Sequence, residues 1–392
     1  MNLAALRTLL PPENISVAQE DRLVYRQDAS FLRGDCQAVV WPRNVEEVCA
    51  LTEWAAAEMV DLVPRGAGTG LCGGATPQHS VVVDLSHMTR LGPLDAERKT
   101  IRAESGVVLG ALNRHLSPHG LFLPVIPGSH RAASIGGMIA TDAAGLRAVR
   151  YGSMRNWVAS LTLVDGNGRV HQLSGDQMED AIGREGVTGF IVETVLRLTA
   201  LPKQRTITLL AFDDQDKLLA QRERWLTSPH LTALEYLNPP ASEAIVWAPK
   251  AHLLAEFDSS EGQIAEPQRV AELWRARDGL YPVLARQGYP VIEDPQIKNA
   301  DRLRDLLTWL DSERIPVFGH LGMGIIHPCF APGDGRVDDL YQRVADLGGS
   351  VSGEHGIGLK KKEYTGETFR AAIRRLKAVY DPHNILNRGK LC

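Results

Sequence analysis

One glycine-rich stretch, Pro64-Arg65-Gly66-Ala67-Gly68-Thr69-Gly70-Leu71-Cys72-Gly73-Gly74-Ala75, decides the fold of this chain. It contains five glycines within nine residues, so several backbone N–H groups lie close together with no Cβ in the way. Such a cluster of N–H dipoles binds a pyrophosphate by replacing the water that the phosphates lose, and Arg65 adds a positive charge. On this stretch alone, an ordinary glycine-rich turn is the alternative interpretation.

The same stretch matches a dinucleotide-binding fingerprint in its glycine spacing but not in the structure predicted to follow it. Gly68, Gly70 and Gly73 have the spacing G-x-G-x-x-G, which binds a dinucleotide when a helix follows immediately. Here Pro77 follows instead, and then the apolar run 80–85, which indicate a turn and a strand. A Rossmann site is therefore excluded, and a free-standing glycine nest that holds a pyrophosphate is the better prediction.

The residues before the glycine-rich stretch predict a β-α-β unit. Asn44 and Glu47 form a capping-box pattern that opens a helix. Residues with helical spacing share one face of that helix: Val45, Val48, Thr52, Ala55 and Met59. The apolar runs 38–41 and 62–63 flank the helix and are predicted strands. The unit delivers the glycine-rich stretch at a strand end, where α/β folds tend to bind ligands.

Residues 98–202 form a second predicted unit, with two further turns rich in small residues at 127–141 and 183–192. The sequence Asp165-Gly166-Asn167-Gly168 between two apolar runs is a hairpin signature. The segment 192–198 alternates apolar and polar residues, as a half-buried strand does. Three glycine-rich segments suit a long ligand held by backbone groups, such as an adenine–pyrophosphate–isoalloxazine cofactor.

After Leu201-Pro202 the chain mixes short strands with charged helices, which predicts a separate α+β layer over 203–315. The predicted strands are 206–212 and 253–257, and the predicted helices are 261–277 and 299–310. Near the end, apolar residues from Phe369 to Tyr380 share one face of a helix that Asp381-Pro382 closes.

Composition and charge exclude several classes of protein. The 392 residues carry a net charge of −4, so no basic field points to nucleic acid. Lys360-Lys361-Lys362 is a local exception, interpreted as a solvated loop, with contact to an anionic surface as the alternative. The five cysteines form no C-x-x-C pair, which favours a reducing, cytoplasmic setting. The sequence shows no signal-peptide pattern and no apolar run of about 18 residues, so no membrane span is expected.

Two histidine motifs in the second half of the chain suggest a metal site. His320 and His327 flank a glycine-rich turn, and Glu354 stands next to His355. Two imidazoles and one carboxylate suit a divalent cation such as zinc, with open positions left for substrate. Histidine is also the natural base near neutral pH. Hydrogen-bonded turn histidines are the alternative, because a separation of seven residues is not a helical metal motif.

Taken together, these motifs resemble the flavin-linked family named for vanillyl-alcohol oxidase and p-cresol methylhydroxylase, over about residues 25–390. The similar branch includes D-lactate dehydrogenases, D-2-hydroxyglutarate dehydrogenases and the D subunit of glycolate oxidase. Beyond the motifs above, the resemblance depends on Ile135-Gly136-Gly137, Glu185-Gly186-Val187-Thr188-Gly189 and Asn387-Arg388-Gly389-Lys390. Several motifs in order are more specific than any one alone.

The resemblance implies an α+β fold: a two-part FAD-binding domain of the p-cresol methylhydroxylase type with an α+β cap domain. We place the FAD-binding domain at 1–202, the cap at 203–345, and a segment that completes the active site and returns to the FAD domain at 346–392. The implied cofactor contacts are Arg65, Gly66, Ala67, Gly68, Thr69, Gly70, Leu71, Cys72, Pro127, Gly128, Ser134, Gly137, Thr141, Ile191 and Asn387. Residues 64–75 lack a histidine, the usual point of covalent flavin attachment, so noncovalent FAD is expected.

The resemblance also implies roles around the substrate, which would be a 2-hydroxy acid oxidised by hydride transfer to flavin N5. His320, His327 and Glu354 would bind the metal, and His355 would accept the hydroxyl proton. Arg277 would bind the substrate carboxylate, a task that suits a guanidinium fork. An exposed helical arginine is the alternative interpretation of that residue.

This chain departs from the family pattern near the predicted metal site. Met323, Ile325 and Cys329 replace usual polar residues, and Met138 and Asp142 replace usual asparagines beside the flavin. We therefore expect a monocarboxylate such as lactate or glycolate, or one with an apolar tail, over 2-hydroxyglutarate.

Two other functions stay open on the sequence. One is a flavoprotein subunit of an electron-transfer complex with weakened catalysis, and the other is an oxidase that acts on a different alcohol. The remaining expectations are a protein or quinone as electron acceptor, a homodimer, and a cytoplasmic location that extends at most to the membrane periphery.

Overall fold

The structure is a computed structural model that describes residues 3–392. Its first half contains helices α1 (Leu3–Leu9), α2 (Gln19–Tyr25), α3 (Val45–Glu58), α4 (Leu109–Leu116), α5 (Ile135–Ala140) and α6 (Ala148–Tyr151). The strands are β1 (Ile15–Ser16), β2 (Asp35–Val40), β3 (Leu62–Arg65), β4 (Gln78–Asp84), β5 (Leu91–Asp95), β6 (Thr100–Glu104), β7 (Leu121–Phe122), β8 (Val158–Val164), β9 (Val170–Ser174), β10 (Phe190–Arg197) and β11 (Thr199–Ala200). They build one sheet of order β1-β2-β4-β3 and another of order β5-β6-β10-β8-β9, and β7 pairs with β11.

The predicted β-α-β unit is confirmed, because β2 and β3 both run parallel to β4 on either side of it. Helix α3 begins where the capping box predicts: Asn44 Oδ1 accepts a hydrogen bond from Glu47 N at 2.8 Å, and Glu47 Oε2 accepts one from Arg43 N at 2.7 Å. The prediction is wrong for Met59, which is exposed and ends the helix with a φ of 52°. The glycine-rich stretch joins β3 to β4 without a helix, which confirms that it is no Rossmann turn.

The second sheet confirms the predicted hairpin, in which β8 and β9 pair with Val164 opposite Val170. The segment 134–141 differs from the predicted turn, because residues 135–140 form α5, capped by Ser134 Oγ, which accepts from Gly137 N at 3.4 Å. A Cβ on Gly136 would lie only 2.5 Å from Ser105 Cβ. Glycine therefore lets α5 pack directly on the residue that follows β6.

The second half forms the α+β layer predicted after Leu201-Pro202, and it extends beyond the predicted end at 315. Its strands are β12 (Thr206–Phe212), β13 (Leu231–Leu237), β14 (Ala251–Phe257), β15 (Val291–Ile292), β16 (Val317–His320) and β17 (His327–Phe330), in the order β12-β14-β13-β16-β17-β15. Its helices are α7 (Gln215–Leu226), α8 (Pro239–Ala244), α9 (Pro267–Asp278), α10 (Leu280–Arg286), α11 (Ala300–Ser312) and α12 (Arg336–Asp346). Helix α9 begins at Pro267 rather than at 261, because Ile264 and Ile207 exchange two backbone hydrogen bonds of 2.8 and 2.9 Å.

The last part of the chain returns to the first sheet. Helix α13 (Glu367–Tyr380) ends before Asp381-Pro382, as predicted. Beyond it, Leu62 N donates to Ile385 O at 2.8 Å, and Asn387 N donates to Leu62 O at 2.9 Å. The C-terminal segment therefore lies next to β3, the strand that leads into the glycine-rich stretch. Within residues 3–392, no helix is both long and apolar enough to cross a membrane.

Candidate active site

A cavity of about 930 Å³ is lined by residues from both halves of the chain. The predicted cofactor residues that line it are Arg65, Gly66, Ala67, Gly68, Thr69, Gly70, Leu71, Cys72, Pro127, Gly128, Ser134, Gly137, Thr141 and Ile191. The predicted substrate and metal residues that line it are Arg277, His320, His327, Glu354 and His355. Segments far apart in the sequence thus share one space.

The glycine-rich wall of this cavity fits a cofactor bound through the backbone. A Cβ on Gly66 would lie 2.1 Å from Ser134 Oγ, so glycine is required where these segments approach each other. Ser105, which the sequence did not single out, also lines the cavity, and its buried Oγ has no hydrogen-bond partner within the described part of the chain. Because a buried hydroxyl without a partner costs free energy, a bound phosphate or sugar would stabilise this position. The residues present therefore fit FAD.

Asn387 is the one predicted cofactor residue that does not line the cavity. Its side chain is buried behind the glycine-rich stretch, where Nδ2 donates to Gly74 O at 3.1 Å and to Glu185 O at 2.5 Å. Its Oδ1 accepts from Lys390 Nζ at 2.7 Å. Asn387 therefore shapes the cofactor wall through the backbone rather than by facing a ligand.

The three predicted metal ligands lie close together at the wall of the cavity. One donor atom each of His320, His327 and Glu354 lies within 4.8 Å of the others. Glu354 Oε1 is 3.1 Å from His320 Nε2 and 3.2 Å from His327 Nε2. His320 lies in β16 and His327 lies in β17. The two strands are neighbours in the sheet, with Phe318 opposite His327, so both histidines belong to the same part of the sheet. Three side-chain ligands with open positions are the arrangement of catalytic zinc sites.

The groups around this triad orient both imidazoles. Glu235 Oε1 lies 2.7 Å from His320 Nδ1, and the carbonyl oxygen of Glu293 lies 3.2 Å from His327 Nδ1. Each acceptor favours the proton on Nδ1, which leaves Nε2 as the ligand atom. The second oxygen of Glu354 accepts from Gly145 N at 2.7 Å, which fixes the carboxylate.

The electrostatics of the triad favour a positive charge. Burial favours the neutral form of His320, but the carboxylates of Glu235 and Glu354 raise its pKa to about 10. Burial also opposes ionisation of Glu354, yet His320 and His327 hold the pKa of that carboxyl well below its usual range. A positive charge among these atoms is therefore stabilised, and the donor set fits a divalent metal ion.

His355 is placed beside the triad as a neutral imidazole. Its ring stacks on the ring of His327, with centroids 5.1 Å apart and planes 12° apart. Its Nδ1 is 3.5 Å from Asp294 Oδ1, and its Nε2 is 3.7 Å from Glu354 Oε1. Burial lowers the pKa of His355 to about 4 despite the nearby carboxylates. The ring is thus unprotonated and able to accept a proton.

Asp294, which sequence reasoning missed, holds the loop that carries Glu354 and His355. Its Oδ2 accepts from the backbone N–H groups of Gly353, Glu354 and His355, at 2.9, 2.7 and 2.7 Å. Burial would raise the pKa of Asp294, but the neighbouring His355 ring and Lys361 ammonium, together with these N–H groups, lower it to about 2. The loop is therefore fixed by an ionised carboxylate.

The prediction of a solvated Lys360-Lys361-Lys362 loop is wrong at Lys361. That side chain is fully buried and forms an ion pair with Asp294. Lys360 also pairs with a buried carboxylate, Glu293. These lysines neutralise acidic residues beneath the active-site loop, so they do not present a basic surface.

Arg277 is buried at the cavity wall rather than exposed on its helix. Its Nε and Nη2 lie 2.7 and 2.5 Å from Glu235 Oε2, and its guanidinium lies 4.8 Å from the ring centroid of Phe318. Its buried Nη2 forms no hydrogen bond to a described residue, although it lies at ion-pair distance from Glu235. Glu235 thus aligns both Arg277 and His320 at the cavity wall.

The cavity wall has an apolar part beside the charged Arg275 and Asp278, but Ile325 and Cys329, expected to make the pocket less polar, do not contribute to it. Tyr281, Ile292 and Phe318 line the cavity. Ile325 and Cys329 are buried and do not line it. A Cβ on Gly353 would meet Ile325 Cγ1 at 2.6 Å, which places Ile325 behind the active-site loop.

Comparisons with known proteins show the family to which the chain is similar. Residues 36–174 match a family model described as an FAD binding domain, and residues 201–391 match the C-terminal domain of FAD linked oxidases. The chain is 31% identical to D-2-hydroxyglutarate dehydrogenase of Xanthomonas citri pv. viticola, over 90% of this chain and 89% of the relative. It is 31% identical to D-lactate dehydrogenase of Archaeoglobus fulgidus over 90% of each chain.

Two further similarities cover nearly the whole chain. Glycolate oxidase subunit GlcD of Bacillus subtilis is 28% identical over 97% of this chain and 94% of its own. A solved structure of alkyldihydroxyacetonephosphate synthase matches 99% of this chain and 84% of its own, with a TM-score of 0.70 and 17% identity. The structural match supports the two-part fold alone.

Proposed function

This chain belongs to the FAD-linked oxidase family, and from that premise we propose that it oxidises a 2-hydroxy acid to the 2-oxo acid with noncovalently bound FAD. The observation that carries the proposal is one cavity that joins the cofactor wall to Arg277, His355 and the metal triad. We further propose that 1–202 is the FAD-binding domain, 203–345 the cap, and 346–392 the segment that completes the active site.

In this proposal each residue has one task. Bound FAD would supply a hydride acceptor at N5, and a divalent metal held by His320, His327 and Glu354 would supply a Lewis acid for the hydroxyl. Arg277 binds the substrate carboxylate through its guanidinium group. His355 takes the hydroxyl proton at Nε2, the nitrogen that lies towards Glu354. The substrate thus loses one proton to the protein and two electrons with a hydride.

We expect the purified protein to be yellow and to release its FAD on acid precipitation. The cofactor wall consists of backbone and small side chains, and the cavity-lining stretch 64–75 contains no histidine that could form a covalent link. The measurement is the absorbance of the supernatant after precipitation. Flavin that stays in the pellet would contradict noncovalent binding, and a folded protein that takes up no FAD would contradict the proposed function.

An anaerobic screen of 2-hydroxy acids, read by flavin bleaching, tests the substrate class. Lactate, glycolate or a monocarboxylate with an apolar tail should bleach the flavin faster than 2-hydroxyglutarate, because Tyr281, Ile292 and Phe318 line the cavity near Arg277. Fastest bleaching by 2-hydroxyglutarate would contradict this pocket assignment. Absence of bleaching by every 2-hydroxy acid would contradict the proposed reaction.

The same assay tests the role of Arg277. Arg277→Lys should lower turnover by about tenfold or more, because a single ammonium nitrogen cannot both pair with Glu235 and bind a substrate carboxylate as a planar guanidinium does. Arg269→Lys is the matched control, since Arg269 is exposed on the same helix and does not line the cavity. Equal activity of the two variants would remove Arg277 from the substrate site.

A further inference from the structure

Behind the cavity, two other segments of the chain are attached to the glycine-rich stretch. Leu359 N and Lys360 N both donate to Cys72 O, at 2.9 and 3.2 Å. From the C-terminal segment, Lys390 Nζ donates to Gly74 O at 2.8 Å. The loop that carries the candidate base is thus tied to the far side of the cofactor wall, although the two are far apart in sequence.

Glu185 lies where these segments meet. Its Oε1 accepts hydrogen bonds from Ile357 N at 2.6 Å and Gly358 N at 3.2 Å, just after the candidate base. Its Oε2 lies so near the cofactor wall that a Cβ on Gly74 would be 2.9 Å from it. The Glu185 carbonyl is held by Asn387 Nδ2, which also binds Gly74 O. One residue therefore contacts both walls and lines the cavity between them.

The surroundings of Glu185 indicate a positioning role rather than a contribution to stability. The side chain is buried, and the two lysines that act on it electrostatically, Lys361 and Lys390, bind Asp294 and the Gly74 carbonyl instead. Burial raises the pKa of Glu185 to about 7 although two backbone N–H groups lower it. A buried carboxylate without a paired cation costs free energy. Its hydrogen bonds to the backbone N–H groups fix the positions of Ile357 and Gly358.

We propose that Glu185 is a positioning residue that couples cofactor binding at the glycine-rich stretch to the geometry of the loop carrying Glu354 and His355. Through the Gly74 contact, a cofactor on residues 66–74 restrains Glu185, and through Ile357 and Gly358 Glu185 restrains the loop. This inference rests on the proposed function only for the identity of the two ligands. Linkage is reciprocal, so a metal ion at Glu354 should strengthen FAD binding as much as FAD strengthens metal binding.

Hydrogen–deuterium exchange of residues 354–358, with and without FAD, tests the coupling directly, and Zn²⁺ affinity in both states gives a second readout. In the wild type, FAD should slow exchange in this segment and tighten Zn²⁺ binding by roughly tenfold. In Glu185→Ala both effects of FAD should disappear. Glu97→Ala is the matched control, because Glu97 is an exposed carboxylate in the turn between β5 and β6.

Two conservative variants separate positioning from folding. Glu185→Gln keeps the reach and the acceptor oxygen, so it should retain the coupling. Glu185→Asp keeps the charge but is one methylene shorter, so it should lose most of the coupling. If the alanine variant does not fold, Glu185→Asp is the variant that tests the coupling. FAD-dependent protection that persists in Glu185→Ala or Glu185→Asp would overturn the inference. Failure of every 2-hydroxy acid to bleach the flavin would overturn the proposed reaction. The coupling role of Glu185 would still be tested by the hydrogen–deuterium exchange measurement.

Discussion

Replacing His355 with glutamine is expected to slow reduction of the bound flavin by a 2-hydroxy acid by roughly 10²–10⁴-fold, the usual contribution of a general base. Glutamine fills a similar space but cannot accept a proton at neutral pH. FAD retention should stay nearly unchanged, because the cofactor wall consists of residues 64–75 and 127–141 rather than this side chain. Anaerobic stopped-flow absorbance gives the rate, and flavin content after gel filtration gives the retention.

His119→Gln is the control for this substitution, since His119 is exposed and outside the cavity. It should leave the rate at the wild-type level. Parallel loss of FAD and activity in His355→Gln would instead indicate a structural role for the ring that stacks on His327. A wild-type rate in His355→Gln would require another base.

The parts of the fold that follow from the sequence have local causes. The capping box at Asn44 begins α3, the turn 165–168 joins β8 to β9, and the strand after Pro77 rules out a Rossmann turn. The errors have nonlocal causes. Helix α9 starts late because Ile264 pairs with a distant strand, and residues 135–140 form a helix because glycines allow it to pack on Ser105.

The candidate site shows the same division. Its histidines and Glu354 stand in recognisable motifs, but the residues that orient them do not. Glu235 binds His320 from 85 residues away, and Asp294 binds His355 N from 61 residues away. A signal was present, since Glu235 lies in the otherwise largely apolar strand Leu231–Leu237, and a carboxylate in such a strand must find a buried partner. The sequence cannot tell which residue that partner is.

Metal content is the second decisive measurement. Elemental analysis should find about one divalent ion per chain, with zinc as the expected element, and His320→Ala should remove it, because two remaining side chains are too few for a catalytic site of this kind. Loss of the ion should also lower turnover. His383→Ala is the control. His383 follows α13, is exposed and does not line the cavity. Full activity in metal-free wild-type protein would eliminate the metal from the mechanism.

Glu235→Gln sharpens this test, because it leaves all three metal ligands in place. The carboxylate holds His320 Nδ1 at 2.7 Å and also neutralises Arg277, so its charge increases the basicity of the ligand nitrogen and compensates the nearby cation. Loss of such a partner typically costs 10–100-fold in metal affinity, and we expect a decrease of about that size. Glu243→Gln, an exposed carboxylate in α8, should bind metal like the wild type. Equal affinity in the two variants would show that Glu235 serves Arg277 alone, and that His320 needs no charged partner to act as a ligand.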